Sequence, residues 1–205
     1  MKKYIPITIY LLAFSILTSC ITTKITSNWK EPDKKITLEK LKKVLVVAFF
    51  KTDANSRKAE DQMAGYLKGK GVVAHNYLDD NISATNEELI RDKIKADGFE
   101  GAVTMRLVDM EKTETYIPGN ISTYPSYYHT FGGYYYRNWS FNRTPDYYST
   151  TRTYTVETNV FSIKEDKIIW TGVTQTTDPS GVNRLTEEVA KVVYKKMMKE
   201  GFISK

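Results

Sequence analysis

The sequence predicts one α/β (α+β) domain built on a mixed sheet, and three observations support this fold class. An apolar run at residues 44–50 is rich in β-branched side chains, as in a central strand buried on both faces. Two segments with helical spacing of apolar residues follow this strand and alternate with further strand-like runs. Thr-rich alternation near the C-terminus then indicates antiparallel strands. The predicted order over residues 43–205 is β-α-β-α-β-(aromatic loop)-β-β-α.

The first helix of this order is predicted at residues 56–68. Asp53 or Asn55 provides the side chain that can cap its N-terminus, because a carboxylate or amide oxygen accepts a free backbone N–H there. Gly69 is the expected stop. The second strand is predicted at residues 72–77, a run that contains one of the chain's two histidines.

The second helix and third strand have equally clear boundaries. Thr85 and Glu88 form a capping-box pattern, which predicts that a helix starts here and continues to about residue 95. Gly98 ends it, and alternation over residues 103–107 predicts a strand.

The C-terminal part predicts a hairpin followed by a helix. Residues 154–160 and 167–177 alternate polar and apolar side chains, and Asp166 lies in the turn between them. Residues 180–199 carry a stripe of Val, Leu and Met at helical spacing, and Gly201 ends this segment.

An aromatic insertion, residues 115–150, interrupts the pattern. It contains nine tyrosines with Phe131, Trp139 and Phe141, and shows neither strand nor helix periodicity. Dense Tyr and Trp surfaces favour recognition, because each ring gives a large rigid contact with a polar edge. The predicted partner-binding residues are Tyr127, Tyr128, Tyr134, Tyr135, Tyr136, Trp139, Tyr147 and Tyr148.

Four interpretations of this insertion remain open. The rings could dock a protein partner, stack on the sugars of a glycan strand, or lie in the headgroup region of a membrane. The fourth interpretation is a low-complexity insertion without a binding role. Long loops in compact domains are more often functional or disordered than neutral.

The N-terminus has the pattern of a signal peptide, predicted at residues 1–19. Lys2 and Lys3 precede an apolar stretch, residues 4–17, which is shorter than the ~20 residues of a membrane-spanning helix. It ends in Leu-Thr-Ser-Cys with the cysteine at position 20, which resembles the bacterial lipobox. The alternative is an ordinary secretory signal with a coincidental cysteine.

The lipobox resemblance implies that Cys20 becomes the lipidated N-terminus of the mature chain. Diacylglycerol on its sulphur and an acyl group on its amine would give stable membrane anchoring, with no other cofactor. Residues 20–42 are then predicted to form a tether between the lipid and the domain. Ile21 follows the cysteine where an Asp would favour the inner membrane, so the expected location is the periplasmic leaflet of the outer membrane. The inner membrane and the cell surface are the alternatives.

Composition excludes several classes of protein. The chain has 205 residues, a net charge of +6 and no long basic run, which argues against nucleic acid as a partner. One cysteine rules out a disulfide framework. Neither His75 nor His129 has a second ligand at metal-binding spacing, so no metal site is predicted. The pair Asp79 and Asp80 is expected to be a solvated turn, with cation binding as the alternative.

The mature domain resembles a group of uncharacterised envelope lipoproteins through four features. They are a Val-rich first strand, a Gly-Ala-Asp-Gly-like turn at residues 96–101, the Tyr- and Gly-rich insertion, and a Thr-rich hairpin with a lysine-rich loop and Trp at residues 164–172. The layout is also similar to the TolB N-terminal domain, the curli secretion lipoprotein and the lipoprotein activators of peptidoglycan synthases. The resemblance implies the fold and no particular activity. Because the sequence carries no serine-hydrolase motif and only two histidines, we expect a non-catalytic binding or scaffolding module whose partner is an envelope protein or glycan. The alternative is a glycan-acting enzyme or a synthase activator.

Overall fold

A computed structural model of the chain describes residues 22–78, 87–119, 130–132 and 145–204. These residues form a six-stranded mixed sheet with helices on both faces, which confirms the predicted fold class. In chain order the elements are β1 (Thr23–Lys30), β2 (Ile36–Thr37), β3 (Val44–Phe49), α1 (Asp53–Gly65), β4 (Gly71–Val73), α2 (Ala74–Tyr77), α3 (Glu87–Ala96), β5 (Gly101–Ile117), β6 (Tyr147–Ser162), β7 (Lys167–Thr177), α4 (Val182–Lys199) and β8 (Ile203–Ser204).

The strands of the main sheet lie in the order β1-β7-β6-β5-β3-β4. Strands β4, β3 and β5 are parallel, whereas β5, β6, β7 and β1 are antiparallel. The predicted hairpin is therefore β6 and β7, and Asp166 lies in its turn with a φ of 52°. Strands β2 and β8 form a separate parallel pair.

Strand β3 lies in the core as predicted. Val46 and Ala48 join the main cluster beneath α1 and α4, while Leu45 faces the smaller cluster with Ile94 of α3. Alternate residues of β3 thus enter two different clusters, because side chains along a strand point to opposite faces. Helices on both faces explain why its sequence is continuously apolar.

Two local predictions were wrong in detail. Helix α1 begins at Asp53, earlier than predicted, and its cap is neither Asp53 nor Asn55: the Thr52 hydroxyl accepts the backbone N–H of Asn55 at 3.4 Å. The second strand ends at Val73, so His75 lies in the short helix α2. A carboxylate from α1 binds the backbone N–H of His75, which gives this group a partner outside the sheet.

The segment expected to be a tether is part of the domain. Strand β1 pairs antiparallel with β7 along the sheet edge, from Thr23 opposite Thr176 to Lys30 opposite Trp170. Leu38 is buried in the main cluster, and β2 pairs with β8 at the C-terminus. The sequence pattern did not predict β1 because it is an edge strand with mostly polar, exposed side chains.

Candidate functional site

The most distinctive feature of the described surface is a two-stranded ribbon, here called the arm. Strand β3 stops pairing with β5 at Arg106, and β7 stops pairing with β6 at Thr153. Strands β5 and β6 continue together through the pairs from Lys112–Arg152 to Ile117–Tyr147. At ~3.3 Å per residue, these six pairs carry the arm about 20 Å beyond the neighbouring strands.

The arm gains little stability from burial. All residues of β5 from Val108 to Tyr116 are exposed, so neither face of the ribbon is covered by the domain over most of its length. A two-stranded ribbon alone is marginal in water, since it buries little apolar surface. The arm therefore has the form of a surface that displays side chains rather than one that supports the core.

The described end of the arm, here called the tip, is aromatic or apolar on both faces. Tyr116 and Tyr148 are cross-strand partners with ring centroids 5.4 Å apart. Ile117 and Tyr147 form the next pair and point to the opposite face, because side chains alternate along a strand. Tyr147 and Tyr148 are 58% and 70% exposed, so most of each ring is free to contact another molecule.

Asp146 organises the backbone at the tip. One carboxylate oxygen accepts a hydrogen bond from the Tyr116 hydroxyl at 2.6 Å, and the other accepts the backbone N–H of Gly119 at 2.8 Å. The same carboxylate raises the pKa of Tyr116, since the hydrogen bond favours the protonated phenol. Asp146 thus connects the end of β5 to the start of β6 at the tip.

The structure places only part of the predicted site. Tyr147 and Tyr148 lie in strand β6 rather than in a loop. The rest of the predicted set lies outside the described residues: Cys20, Tyr127, Tyr128, Tyr134, Tyr135, Tyr136 and Trp139. Tyr116 and Ile117 join Tyr147 and Tyr148 at the tip. The Thr- and Tyr-rich composition of residues 147–155 was the signal that could have extended β6 backwards.

A buried glutamate and a histidine form the second notable cluster. Glu60 in α1 is 3% exposed, and its Oε1 accepts the backbone N–H of Ala48 at 3.0 Å. Its Oε2 accepts the backbone N–H of His75 at 3.1 Å and lies 2.7 Å from His75 Nδ1. The other ring nitrogen is 3.8 Å from Asp61.

This cluster has a structural explanation. Glu60 joins the end of β3, helix α1 and helix α2 through one carboxylate, and both of its oxygens have partners. Buried carboxylates are tolerated when they are hydrogen-bonded in this way. No group of three or more His, Cys, Asp or Glu side chains in the described ranges could hold a metal ion.

Two further glutamates fasten strand β1 to helix α4. Glu188 accepts the backbone N–H of Thr22 at 3.0 Å and the Thr23 hydroxyl at 2.9 Å, and pairs with Arg184 at 2.6 Å. At the other end of β1, Glu200 accepts the Asn28 amide at 2.7 Å. The beginning of β1 is therefore held firmly in the domain.

An apolar pocket of about 310 Å³ also opens at the end of the strands opposite to the arm. Leu41, Val103, Ile169, Met197 and Phe202 contribute to its lining, and an ion pair between Lys34 and Glu165 lies among the lining residues. None of the predicted site residues lines it. In the parts of the chain that the structure describes, no helix is long and apolar enough to cross a membrane.

The described residues thus define a small α+β domain that displays an aromatic arm. Neither a protein-family model nor a curated protein matches the chain. Among solved structures, the PelC dodecamer from Paraburkholderia phytofirmans is similar at 11% identity and a TM-score of 0.46, covering 84% of this chain and 96% of that one. Lipoprotein GNA1162 from Neisseria meningitidis is similar at 9% identity and a TM-score of 0.39, with coverage of 77% and 98%. These resemblances are distant, so the function is inferred from this chain's own residues.

Proposed function

We propose that this chain is a lipid-anchored, non-catalytic binding or scaffolding protein of the cell envelope, held at the periplasmic face of the outer membrane. The observation that carries the proposal is the arm, which displays tyrosines on an exposed ribbon instead of using them in the core. Rigid rings with polar edges suit recognition, and their display costs little side-chain entropy on binding.

The buried or partly buried glutamates support binding rather than catalysis. Glu60, Glu188 and Glu200 each hold two or more structural elements together through hydrogen bonds. A general acid or base must reach a substrate directly or through one water, whereas these carboxylates are engaged with the protein itself. The exposed phenols of the arm are the groups that are available to another molecule.

The competing proposal is an enzyme or activator that acts on cell-wall glycan. Tyrosine rings also stack on sugar faces, so the arm alone is compatible with a glycan partner. An enzyme would need an acid and a base, and His75 with Asp79 are the candidates that the sequence offers. An activator would instead dock a synthase through the arm.

In-cell crosslinking with mass spectrometry tests the role of the arm. In the test variant, residues 114–150 are replaced by Asn-Gly, which joins the paired residues Thr113 and Thr151 by a two-residue hairpin turn. We expect this variant to keep its fold and membrane location and to lose, by at least tenfold, the crosslinks that the wild-type chain makes to its principal partner.

The matched control is the double variant His75→Ala with Asp79→Asn, which leaves the arm intact. We expect it to keep the wild-type crosslinks and phenotype. An unchanged partner list in the shortened variant would contradict the arm's role. A lost phenotype in the double variant, with partners retained, would favour the enzyme.

A further inference from the structure

The start of the described chain and the base of the arm lie at the same end of the strands of the sheet. Thr23 pairs with Thr176, which pairs with Tyr154, which pairs with Met110, so these four residues form one row across β1, β7, β6 and β5. The arm rises from this row. Glu188 holds Thr22 and Thr23 in place, so the position of the start of β1 on the domain is fixed.

The reach of the anchor is shorter than the reach of the arm. Cys20 precedes Thr23 by three residues, which span at most about 10 Å even when fully extended. The arm continues from Glu111 to Ile117 beyond the row of Thr23, or about 23 Å at ~3.3 Å per residue. The tip therefore lies farther from the domain along the strand direction than Cys20 can lie.

A membrane that holds the acyl chains of Cys20 must come close to this end of the strands. If the sheet stands upright on the bilayer, the tip lies at or beyond the membrane surface. If the domain tilts with β5 and β6 towards the bilayer, the arm lies along that surface. In both orientations the aromatic tip and the lipid headgroups share the same space.

We propose that the tip of the arm contacts the headgroup region of the membrane that carries the protein's own lipid anchor. The proposal rests on the anchor at Cys20 in the function proposed above, and it concerns the tip alone, so the exposed ribbon below the tip stays available to a protein partner. Tyrosine is enriched at the level of the headgroups, where its ring contacts acyl chains and its hydroxyl contacts water. A tip with Tyr116 and Tyr148 on one face and Ile117 and Tyr147 on the other suits surroundings that enclose it, rather than a one-sided groove.

The depth of this contact is limited by the arm's own backbone. Among the described residues, the outer edges of β5 and β6 beyond Arg152 have no neighbouring strand. Unpaired backbone groups are costly in hydrocarbon but acceptable among headgroups and water. Lys112, Glu114 and Arg152 on the ribbon also favour water. The contact is thus confined to the tip and to the headgroup layer.

Charge does not drive this contact. Residues 109–154, which include the arm and the aromatic insertion, contain four acidic and four basic side chains and so have no net charge. Electrostatic attraction to anionic lipids scales with excess Lys and Arg and is weakened by salt. We therefore expect the tip contact to be the same at low salt and at 0.5 M salt, to within about twofold.

The test uses the full lipidated chain in vesicles of phosphatidylethanolamine and phosphatidylglycerol. Pro145→Cys places a thiol next to the tip. Lys164→Cys places one in the β6–β7 turn, at the opposite end of the strands. Both positions are exposed. Because the Cys20 sulphur is a thioether in the lipidated protein, a thiol-reactive fluorophore labels only the introduced cysteine. Quenching by nitroxide carried on lipid headgroups then reports proximity to the membrane surface.

We expect the label at position 145 to be quenched at least threefold more strongly than the label at position 164. Replacing Tyr116 and Tyr148 with Ser in the Pro145→Cys protein should reduce that difference. Equal quenching at both positions in vesicle-bound protein would overturn the inference while the anchor stands. Protection of position 145 only after an envelope protein is added would also overturn it, in favour of a protein partner. Flotation with the vesicles reports the anchor separately, so its failure is distinguishable.

Discussion

Replacing Trp170 with Ala is expected to lower the free energy of unfolding by about 3–5 kcal/mol, the range for large-to-small changes of buried aromatic residues. Trp170 is 0% exposed, and its ring lies so close over Gly172 that an added Cβ there would be 2.4 Å from a ring carbon. Its indole N–H also donates to Glu200 at 3.1 Å. The substitution leaves a cavity between β7 and α4 and removes that hydrogen bond.

Urea unfolding of the Cys20→Ser chain without residues 1–19, followed by circular dichroism, measures this loss. The control is Trp29→Ala, because Trp29 is about half exposed on edge strand β1 and should cost less than about 1 kcal/mol. Equal effects of the two substitutions would contradict the placement of Trp170 in the core.

Replacing Glu188 with Ala is expected to lower the free energy of unfolding by about 2–4 kcal/mol, because it removes a buried carboxylate that accepts hydrogen bonds from three residues. The residues affected are Thr22, Thr23 and Arg184, which join the start of β1 to helix α4. Hydrogen exchange should speed up in β1 more than in β3. The control is Glu187→Ala, since Glu187 is half exposed and its contact with Arg184 is long, at 3.8 Å. A variant as stable as wild type would contradict the fastening of β1.

The same residue makes stability depend on pH. Burial opposes ionisation of Glu188, but the hydrogen bonds from Thr23 and Thr22 and the charge of Arg184 outweigh it and hold its pKa below the ordinary value. A depressed pKa in the folded state means that the stabilisation is full above the unfolded value of about 4.3 and is lost as the pH falls through the folded value. We expect Glu188→Gln to show a smaller loss of stability than wild type over this acidic range.

The elements that the sequence predicted well are those whose side-chain pattern is set by burial. Strand β3 is continuously apolar because both of its faces are covered, and the hairpin of β6 and β7 alternates because one face meets the core. Helix α4 shows its stripe for the same reason. Each of these patterns lies within one segment of the sequence, so it can be recognised before the arrangement of the segments is known.

The missed features depend on long-range partners. Strand β1 is held by β7 and by two glutamates more than 150 residues away, so its own polar sequence resembles a tether. Helix α2 replaces the end of a predicted strand where Glu60 binds the backbone of His75. The predicted insertion at residues 115–150 begins and ends inside strands β5 and β6, because the ribbon has no buried face that would produce alternation.

The lipid at Cys20 is the feature on which both the proposed function and the membrane contact depend, and mass spectrometry of the intact protein from the membrane fraction tests it most directly. We expect a chain that begins at Cys20 and carries diacylglycerol and one further acyl group, and we expect Cys20→Ser to remain unprocessed. A mature chain that begins at another residue, or one that carries no lipid, would contradict both the anchor and the contact of the arm with the membrane.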